Sequence, residues 1–298
     1  MPIWPFRKRK QPSGLTLNRN FYLSVLAPGR DLPPLFSLIN PDGSNGAVAG
    51  FGAPLSEGAS RDLLNVPMPT GAYALTTRAQ DTVVQMDVFT LSQVPSFSMP
   101  TTPAEREAAG VTPEVAARLD RAEYLINFVV RGYRDALEST RFFLDVVARM
   151  GVVSDGAVAD ALAEAYRLPG DLALKSRLHP LVDFREIGTV RLAPDDEGAF
   201  WVSSRGLVKF NLPEFEMYGV PREHGDAAAR MVAAAGQQAL IGMPMRPGES
   251  AFSPNSPLHI HKGTRNRNLW GDRPTLEFRD PGGTGAAKGV RAWEESGN

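Results

Sequence analysis

The stretch WVSSRGLVKFNLPEFEMYG, residues 201–219, combines a glycine turn, a proline and two glutamates in one short segment. Residues 200–203 would direct their side chains alternately to two faces, which is the period-two pattern of a β-strand. Gly206 then permits a bulge or a tight bend that a larger side chain would obstruct. Residues 214–218 indicate a further strand. The stretch therefore predicts two strands joined by a close connection.

Other strand signals flank this stretch on both sides. Residues 73–77 and 84–88 alternate between apolar and smaller or polar side chains, and Gln80 and Asp81 between them offer a turn, so we predict a hairpin. Residues 21–26 indicate an earlier strand. Residues 184–193 predict a strand that pairs with the one beginning near residue 200.

The middle of the chain carries a helical signal. Thr112 supplies a capping hydroxyl, and Pro113 suits the first helical position. From Val115 to Val147 apolar residues then recur at alternating spacings of four and three, which predicts one long helix or two helices meeting near Gly132. Residues 158–166 predict another helix.

These patterns predict an α+β fold with two mixed strand-and-helix lobes, a helical middle that joins them, and flexible termini. The chain of 298 residues suits one large or two medium domains. We divide it into a flexible basic N-terminus (1–14), an N-terminal α+β lobe (15–100), a helical segment (101–178), a C-terminal α+β lobe (179–247) and an extended or partly disordered tail (248–298).

Composition excludes several classes of function. The chain has no cysteine, so disulfides, thiolate nucleophiles and cysteine-based zinc sites are excluded. The net charge of −1 gives no overall field that would mark a nucleic-acid binder. No apolar run has the length of a transmembrane helix, and no apolar run follows the N-terminal charges as a secretory signal requires. We therefore expect a cytoplasmic protein without a transmembrane segment.

The segment around residues 201–216 resembles a motif of poorly characterised bacterial domains of unknown function, approximately Trp-x-x-Thr-x-Gly-Leu-x-x-Phe-Gly-x-Pro-Glu-x-Glu. The matching residues are Trp201, Gly206, Leu207, Phe210, Pro213, Glu214 and Glu216. Ser204 replaces the threonine, and Arg205 stands where many relatives carry a histidine, so chemistry performed by that histidine would not carry over. The resemblance covers about residues 180–245 and implies no activity.

Five motif residues are candidates for binding: Trp201, Arg205, Gly206, Glu214 and Glu216. On a strand, Glu214 and Glu216 would share one face, where they could split their pKa values or hold a cation. The alternative is that both glutamates lie on an exposed strand edge.

A second candidate is the pair His259 and His261, whose imidazoles would point the same way from a strand and could bind a metal. A catalytic metal needs a third ligand, which His224 or Glu249 could supply only through the fold. The alternative is a pair of surface histidines.

The third candidate is a basic segment with an interleaved tryptophan: Lys262, Arg265, Arg267, Trp270 and Arg273. Such residues suit phosphate contact and base stacking, and equally suit docking on an acidic protein partner. We expect this segment to be mobile in isolation and ordered against a partner or a second subunit.

No serine-nucleophile elbow or zinc-protease motif occurs in the sequence. We therefore expect a non-catalytic accessory or protein-interaction protein of the bacterial cytoplasm, without a cofactor, that binds a protein partner or forms a homo-oligomer. Whether it is an enzyme stays open at this point. One alternative is a metal-dependent hydrolase that uses His259 and His261, and another is weak nucleic-acid binding through the C-terminal basic segment.

Overall fold

The computed structural model describes residues 15–29, 31–38, 48–52, 65–77, 80–176, 182–243, 245–252, 256–265, 273–283 and 285–296. These residues form two β-sheets and a set of helices, so the predicted α+β class is confirmed. No helix in this described part is both long and apolar enough to cross a membrane. The predicted N-terminal basic segment, residues 1–14, lies outside it.

The first sheet has seven antiparallel strands. They are β1 (Tyr22–Pro28), β2 (Val48–Gly52), β3 (Gly71–Thr77), β4 (Thr82–Thr90), β5 (Ala122–Tyr133), β6 (Ala157–Asp160) and β7 (Ala165–Arg167). Their order across the sheet is β2-β3-β4-β5-β1-β6-β7. The predicted hairpin is confirmed as β3 and β4, and the predicted early strand as β1.

The second sheet has five strands. They are β8 (Thr189–Pro194), β9 (Phe200–Arg205), β10 (Glu214–Val220), β11 (His259–Lys262) and β12 (Thr275–Arg279). Their order is β11-β12-β10-β9-β8, with β10 and β12 parallel and the other neighbours antiparallel. The predicted strand over 184–193 begins later than expected, because Phe184–Ile187 is a short helix.

Along the chain, the helices of the described residues come between the strands, except for the last helix, which follows β12. They are α1 (Pro103–Ala108), α2 (Pro113–Leu119), α3 (Ala136–Ser154), α4 (Pro169–Ser176), α5 (Phe184–Ile187), α6 (Gly225–Leu240) and α7 (Ala287–Glu295). Short 3₁₀ helices occur at Leu35–Leu38, Leu91–Gln93, Leu207–Phe210 and Arg222–His224. The predicted start of α2 is confirmed, since the Thr112 hydroxyl accepts a hydrogen bond from the Val115 N–H.

The helical interpretation of the middle segment is wrong between residues 122 and 133, which form β5. The strand has buried residues on both faces: Ile126 and Phe128 belong to the main core, whereas Leu125 packs with Val115 and Leu119 in a smaller cluster. Neither face is wholly polar, so the strand shows no simple alternation of apolar and polar residues. Its apolar residues therefore gave helix-like spacings, and the true helix, α3, begins only after it.

The predicted helix over 158–166 is also wrong, since this segment contains the two short strands β6 and β7. All four residues of β6 are buried, so they again show no alternation. Glu164, in the turn between the strands, has a φ of 52°, a left-handed conformation that ends any helical course.

The predicted tail, residues 248–298, contributes two strands and a helix to the described structure. The strand β12 lies between β10 and β11. Phe278 in this strand is fully buried and stacks on Phe215 of β10, with 5.5 Å between the ring centroids. Interpreting the whole region as a mobile tail is therefore wrong, because its described strands complete the sheet and the core.

A single apolar core extends from one sheet to the other. Phe21, next to β1, packs edge-on against Phe143 of α3 with ring centroids 4.9 Å apart. The same ring lies 6.1 Å from Phe210, in the 3₁₀ helix that follows β9. The two sheets are therefore joined through shared side-chain packing, in place of the predicted helical middle.

Candidate functional site

The bend at residues 204–208 is held by the carboxylate of Glu214. Its Oε1 accepts hydrogen bonds from the backbone N–H groups of Gly206 (2.8 Å) and Val208 (3.2 Å), and its Oε2 accepts from the Ser204 hydroxyl (2.6 Å). The Ser204 Oγ in turn accepts from the Phe215 N–H at 2.8 Å. Burial raises the pKa of Glu214, and these hydrogen bonds act in the opposite direction. Glu214 thus closes the connection between β9 and β10.

The predicted bend at Gly206 is confirmed. Its φ is +114°, a conformation that residues with a Cβ rarely adopt. An added Cβ would lie 2.5 Å from the Ile187 carbonyl oxygen and 3.0 Å from the Gly188 Cα. The backbone conformation and the close approach of α5 both explain why glycine occupies this position.

The second motif glutamate, Glu216, is hydrogen-bonded to two aromatic side chains. Its Oε2 accepts hydrogen bonds from Trp201 Nε1 (3.2 Å) and from the Tyr218 hydroxyl (3.0 Å). The two rings are stacked, with centroids 5.8 Å apart and planes 13° from parallel. The guanidinium of Arg205 lies 5.2 Å from the Trp201 centroid, and that of Arg265 lies 4.5 Å from the Tyr218 centroid. The result is a layered arginine–tryptophan–tyrosine–arginine stack.

The register of the second sheet sets Glu216 beside Glu277 on the parallel neighbour β12, and both residues are fully buried. Arg279 donates a 2.5 Å hydrogen bond to Glu277, and the Arg265 Nε lies 3.7 Å from the other carboxylate oxygen. These arginines offset the cost of burying negative charge. Burial, followed by the nearby charge of Glu216, raises the pKa of Tyr218, so its hydroxyl stays a donor at neutral pH.

Glu214 and Glu216 are alternate residues of β10, yet they bind different groups. Glu214 accepts from the backbone of the bend, and Glu216 accepts from the Tyr218 hydroxyl. The alternative of an exposed strand edge is wrong, because β10 lies in the middle of the sheet and both glutamates are buried. We refer to Trp201, Arg205, Glu214, Glu216 and Tyr218 as the motif cluster. Its two carboxylates accept hydrogen bonds from neighbouring side chains and, at Glu214, from backbone N–H groups.

Arg205, at the position of the histidine in the resembling motif, is buried in this cluster. Its Nη1 donates to the Ser203 hydroxyl (3.0 Å) and to the Ser204 carbonyl (3.1 Å), and its Nε lies 3.3 Å from Glu164. Burial lowers the pKa of Arg205, and the charges of Glu164 and Glu214 oppose that effect. The side chain links β9 to the turn between β6 and β7.

The two histidines of the metal hypothesis lie on β11, where His259 is partly exposed and His261 exposed. The residues suggested as third ligands are engaged elsewhere: His224 Nδ1 lies 2.7 Å from Glu294, and Glu249 accepts from the Arg246 N–H. Within the described ranges, no group of three histidine, aspartate or glutamate side chains has an arrangement that could hold a metal ion.

The basic candidates are not brought together as one surface in the described structure. Arg265 packs on Tyr218 and pairs with Glu277, whereas Lys262 and Arg273 are exposed. Arg267 and Trp270 lie outside the described residues.

A buried ion pair joins the two sheets. Lys209, in the 3₁₀ helix after β9, is fully buried, and its Nζ lies 2.5 Å from Asp160 at the end of β6. The ammonium also donates to the Ile187 carbonyl and lies 5.7 Å from the centroid of the Phe21 ring. Burial lowers the pKa of Lys209, while the charge of Asp160 opposes this. Asp160 also accepts from the Ala163 N–H at 3.1 Å.

Beside this ion pair lies a cleft of about 610 Å³, which we call the junction cleft. The first sheet contributes residues of β1, β6 and β7, the second contributes Arg191 of β8, and α1 with the loop before it forms a further wall. Lining side chains include Tyr22, Ser24, Phe97, Asp160, Glu164 and Tyr166. Its volume is within the range of about 300–1,000 Å³ that is usual for small-molecule sites.

The walls of the cleft are fixed by Arg191. Its Nη1 donates to the Ala108 carbonyl at 2.8 Å, and its Nη2 donates to the carbonyls of Ala109 and Glu164. A guanidinium at the C-terminal end of a helix interacts favourably with the helix dipole, so this contact stabilises α1 where it borders the cleft.

Unlike the guanidinium of Arg191, the tyrosine hydroxyls of the cleft lack hydrogen-bond partners in the described part of the chain. Tyr22 and Tyr166 are partly exposed, and neither hydroxyl forms a hydrogen bond with any residue in the described ranges. Burial, followed by the proximity of Tyr22, raises the pKa of Tyr166. This hydroxyl is therefore protonated at neutral pH and can both donate and accept.

Sequence reasoning missed Lys209, Asp160 and the two cleft tyrosines. Lys209 carried one local signal, since it stands between Val208 and Phe210 in an apolar run. The cleft residues come from separate parts of the chain, and only the strand order brings them together.

The chain was compared with protein-family models, with curated proteins and with solved structures, and no match was found in any of the three. The resemblance of residues 201–216 to bacterial domains of unknown function therefore stays a prediction. The assignment of candidate sites in this protein therefore depends on the geometry of the structure.

Proposed function

We propose that the protein acts by binding, without catalysis, and that the junction cleft is its recognition site. The observation that carries this proposal is the cleft of about 610 Å³, whose lining includes two tyrosines with hydroxyls that have no hydrogen-bond partner among the described residues. Concave sites with a few well-placed polar groups are the usual form of a small-molecule site.

The ionisable groups at the cleft favour binding over catalysis. A general base must be able to accept a proton from its substrate. Asp160 is held by the buried Lys209, and Glu164 by Arg205. Both carboxylates are thus engaged in ion pairs that connect the two sheets, so their roles are accounted for by the fold.

We infer that this binding serves an accessory role in the bacterial cytoplasm, together with a protein partner or a second copy of the chain. The exposed cations Lys262 and Arg273 support such a contact. In the described part of the chain, no observation favours the metal-dependent hydrolase, since His259 and His261 lack a third ligand there. Nucleic-acid binding has equally little support, because Arg265 is engaged within the protein.

Ligand-observed NMR with a pool of water-soluble bacterial metabolites tests the proposal. We expect saturation transfer from the full-length protein to one or more metabolites, and loss of that transfer in Ala161→Trp, whose indole would occupy the cleft. Ala161 is an exposed residue of the cleft lining. Ala117→Trp, at an exposed position of α2 away from the cleft, is the matched control.

Three results would overturn the proposal: no metabolite binds, binding persists in Ala161→Trp, or the bound metabolite is converted into a product. The last result would show catalysis, and the first two would remove the cleft as the recognition site.

A further inference from the structure

The helix α1 forms one wall of the junction cleft without belonging to the core. Pro100, Glu105, Ala108 and Ala109 line the cleft. None of the six residues of α1 is buried, and none belongs to either apolar cluster. An element with few buried apolar contacts separates from the rest of a protein at a lower free-energy cost than the core does. The position of α1 therefore depends on the groups that hold it.

The chain is anchored on both sides of α1. Met99 before the helix and Val111 after it pack against the smaller apolar cluster, which includes Val115 and Leu119 of α2. Gly110, next to Val111, has a φ of +64°, a left-handed conformation that glycine adopts without strain. Hinges of moving segments are a few residues that absorb a change in backbone angles. Residues 100–110 thus form a segment between two fixed points, with a glycine at one end.

This segment is a compact unit. The Thr102 hydroxyl accepts from the Glu105 N–H at 3.2 Å, and the Glu105 carboxylate accepts from the Thr102 N–H at 2.9 Å. Arg106 Nε donates to the Pro100 carbonyl at 3.2 Å, and the Val111 N–H donates to the Arg106 carbonyl at 2.8 Å. The segment can therefore move as one body without breaking its own hydrogen bonds.

In the described part of the chain, two polar side-chain contacts join the segment to the rest of the protein. Nη1 of Arg191, on β8, donates to the Ala108 carbonyl at 2.8 Å, and its Nη2 donates to the Ala109 carbonyl at 3.4 Å. Arg106 forms an ion pair with Asp120, the residue that caps the end of α2. An exposed ion pair contributes little to stability, so the position of the segment depends mainly on Arg191.

We propose that residues 100–110 are a lid on the junction cleft, and that the lid opens when Arg191 releases the carbonyls of Ala108 and Ala109. In the open position water replaces these two carbonyls, while the bond from Arg191 to the Glu164 carbonyl is kept. Opening gives a ligand access to the cleft between α1 and β8, and closing excludes water from the bound ligand. This inference rests on the proposed function and adds the movement that controls access to its site.

The absence of cysteine from the chain allows two spin labels to report the position of the lid. Ala104→Cys in α1 and Glu197→Cys in the turn after β8 are exposed positions outside the cleft lining. Double electron–electron resonance between nitroxide labels measures the distance between them in the full-length protein. We expect mainly one distance in this labelled parent and a second, longer distance in its Arg191→Met variant. The ratio of open to closed molecules should rise at least about 10-fold, because hydrogen bonds from a charged donor are lost.

Two further variants accompany this measurement. Arg149→Met is the matched control, because Arg149 also donates to a backbone carbonyl, that of Leu38, but does not line the cleft. Its distance distribution should equal that of the labelled parent. Asp120→Asn removes the ion pair with Arg106 at an exposed position, where loss of the fold is not expected. The ratio of open to closed molecules should rise about 2-fold in this variant.

The outcomes separate the lid from the proposed function. An unchanged distance in both Arg191→Met and Asp120→Asn would overturn the lid, and so would an equally large second population in Arg149→Met. If circular dichroism shows that Arg191→Met does not fold, Asp120→Asn decides alone. Metabolite binding at a cleft whose lid does not move overturns the lid alone. A moving lid over a cleft that binds no metabolite overturns the proposed function alone.

Discussion

The motif cluster and the junction cleft are both rich in polar and aromatic side chains, yet their tyrosine hydroxyls differ in hydrogen bonding. In the motif cluster, Glu214 accepts three hydrogen bonds from its own bend, and Glu216 accepts from Trp201 and Tyr218. In the cleft, the phenols of Tyr22 and Tyr166 find no partner among the described residues. The two regions adjoin, since Glu164 of the cleft pairs with Arg205 of the cluster.

This difference distinguishes polar groups that stabilise the fold from polar groups that are available to bind a ligand. A buried polar group must be hydrogen-bonded, and a region whose groups satisfy one another specifies a single arrangement of the chain. A hydroxyl without a partner in the protein keeps its hydrogen-bonding capacity for another molecule. The sequence motif is therefore explained by folding, whereas the cleft carries the functional proposal.

The ion pair of Lys209 and Asp160, which joins the two sheets beside the cleft, should give the largest effect on stability. Lys209→Met would leave the Asp160 carboxylate buried without its cation, and we expect a loss of about 3–5 kcal/mol in the free energy of unfolding. Urea denaturation followed by circular dichroism measures it. The double variant Lys209→Met, Asp160→Asn should recover most of the loss, because neither charge is then left alone. Equal stability of the single variant and the wild type would contradict the structural role of this pair.

The glycine bend of the motif cluster should give the next largest effect. Gly206→Val combines an unfavourable φ of +114° with close contacts to Ile187 and Gly188, so we expect destabilisation of about 2–4 kcal/mol. Gly198→Ala is the control: its φ is +80°, and an added Cβ would have nothing within 4 Å. The control should lose only about 1 kcal/mol from backbone strain. Similar losses in the two variants would show that crowding at Gly206 is unimportant.

The pH dependence of the free energy of unfolding tests whether burial or hydrogen bonding has the larger effect on the pKa of Glu214. Because the pKa of Glu214 is raised above 4.5 in the folded state, the unfolded chain loses this proton first as pH rises. Between the unfolded and folded pKa values the unfolded state binds fewer protons, so the stability from this group falls with rising pH.

The variant Glu214→Gln removes that titration and keeps an oxygen for the Gly206 and Val208 N–H groups. We expect the stability of the wild type relative to this variant to decrease as the pH rises above 4.5, the ordinary pKa of a glutamate. Chemical denaturation of both proteins at each pH gives the difference. A relative stability that increases over this range would show that the hydrogen bonds outweigh burial.

The smallest effect on the free energy of unfolding should come from a cleft variant. Comparing it with a variant of the motif cluster contrasts the two regions directly. Tyr166→Phe removes a hydroxyl without a partner among the described residues, so we expect a change within about 0.5 kcal/mol. Ser204→Ala also removes one hydroxyl, but this group bonds Glu214 and Phe215 in the motif cluster and should cost about 1–3 kcal/mol. Thermal and urea denaturation of both variants measure the contrast. A loss at Tyr166 as large as that at Ser204 would mean that the phenol stabilises the fold.

Local patterns were sufficient for much of the fold. The hairpin of β3 and β4, the strands β9 and β10, the cap at Thr112 and the bend at Gly206 all follow from residues close together in the chain. Alternation, capping hydroxyls and special glycine conformations act within a few residues, so the sequence shows them directly.

The predictions from sequence were wrong or incomplete where contacts between residues distant in the chain determine the structure. The strand β5 has apolar side chains on both faces because α3 covers one face of its sheet and α2 lies on the other, and neither contact is visible locally. The pairing of Glu216 with Glu277 depends on a parallel register between segments sixty-one positions apart. The junction cleft depends on the order of strands in one sheet and on the edge of the other.

The position of β12 has a consequence for how this protein is made. Strands β10 and β11 both pair with β12, which is synthesised after them. Until β12 is made, the side of β10 that it covers is an open backbone edge, and such edges favour association between nascent chains. Completion of the second sheet therefore has to wait until translation has passed residue 279, the end of β12.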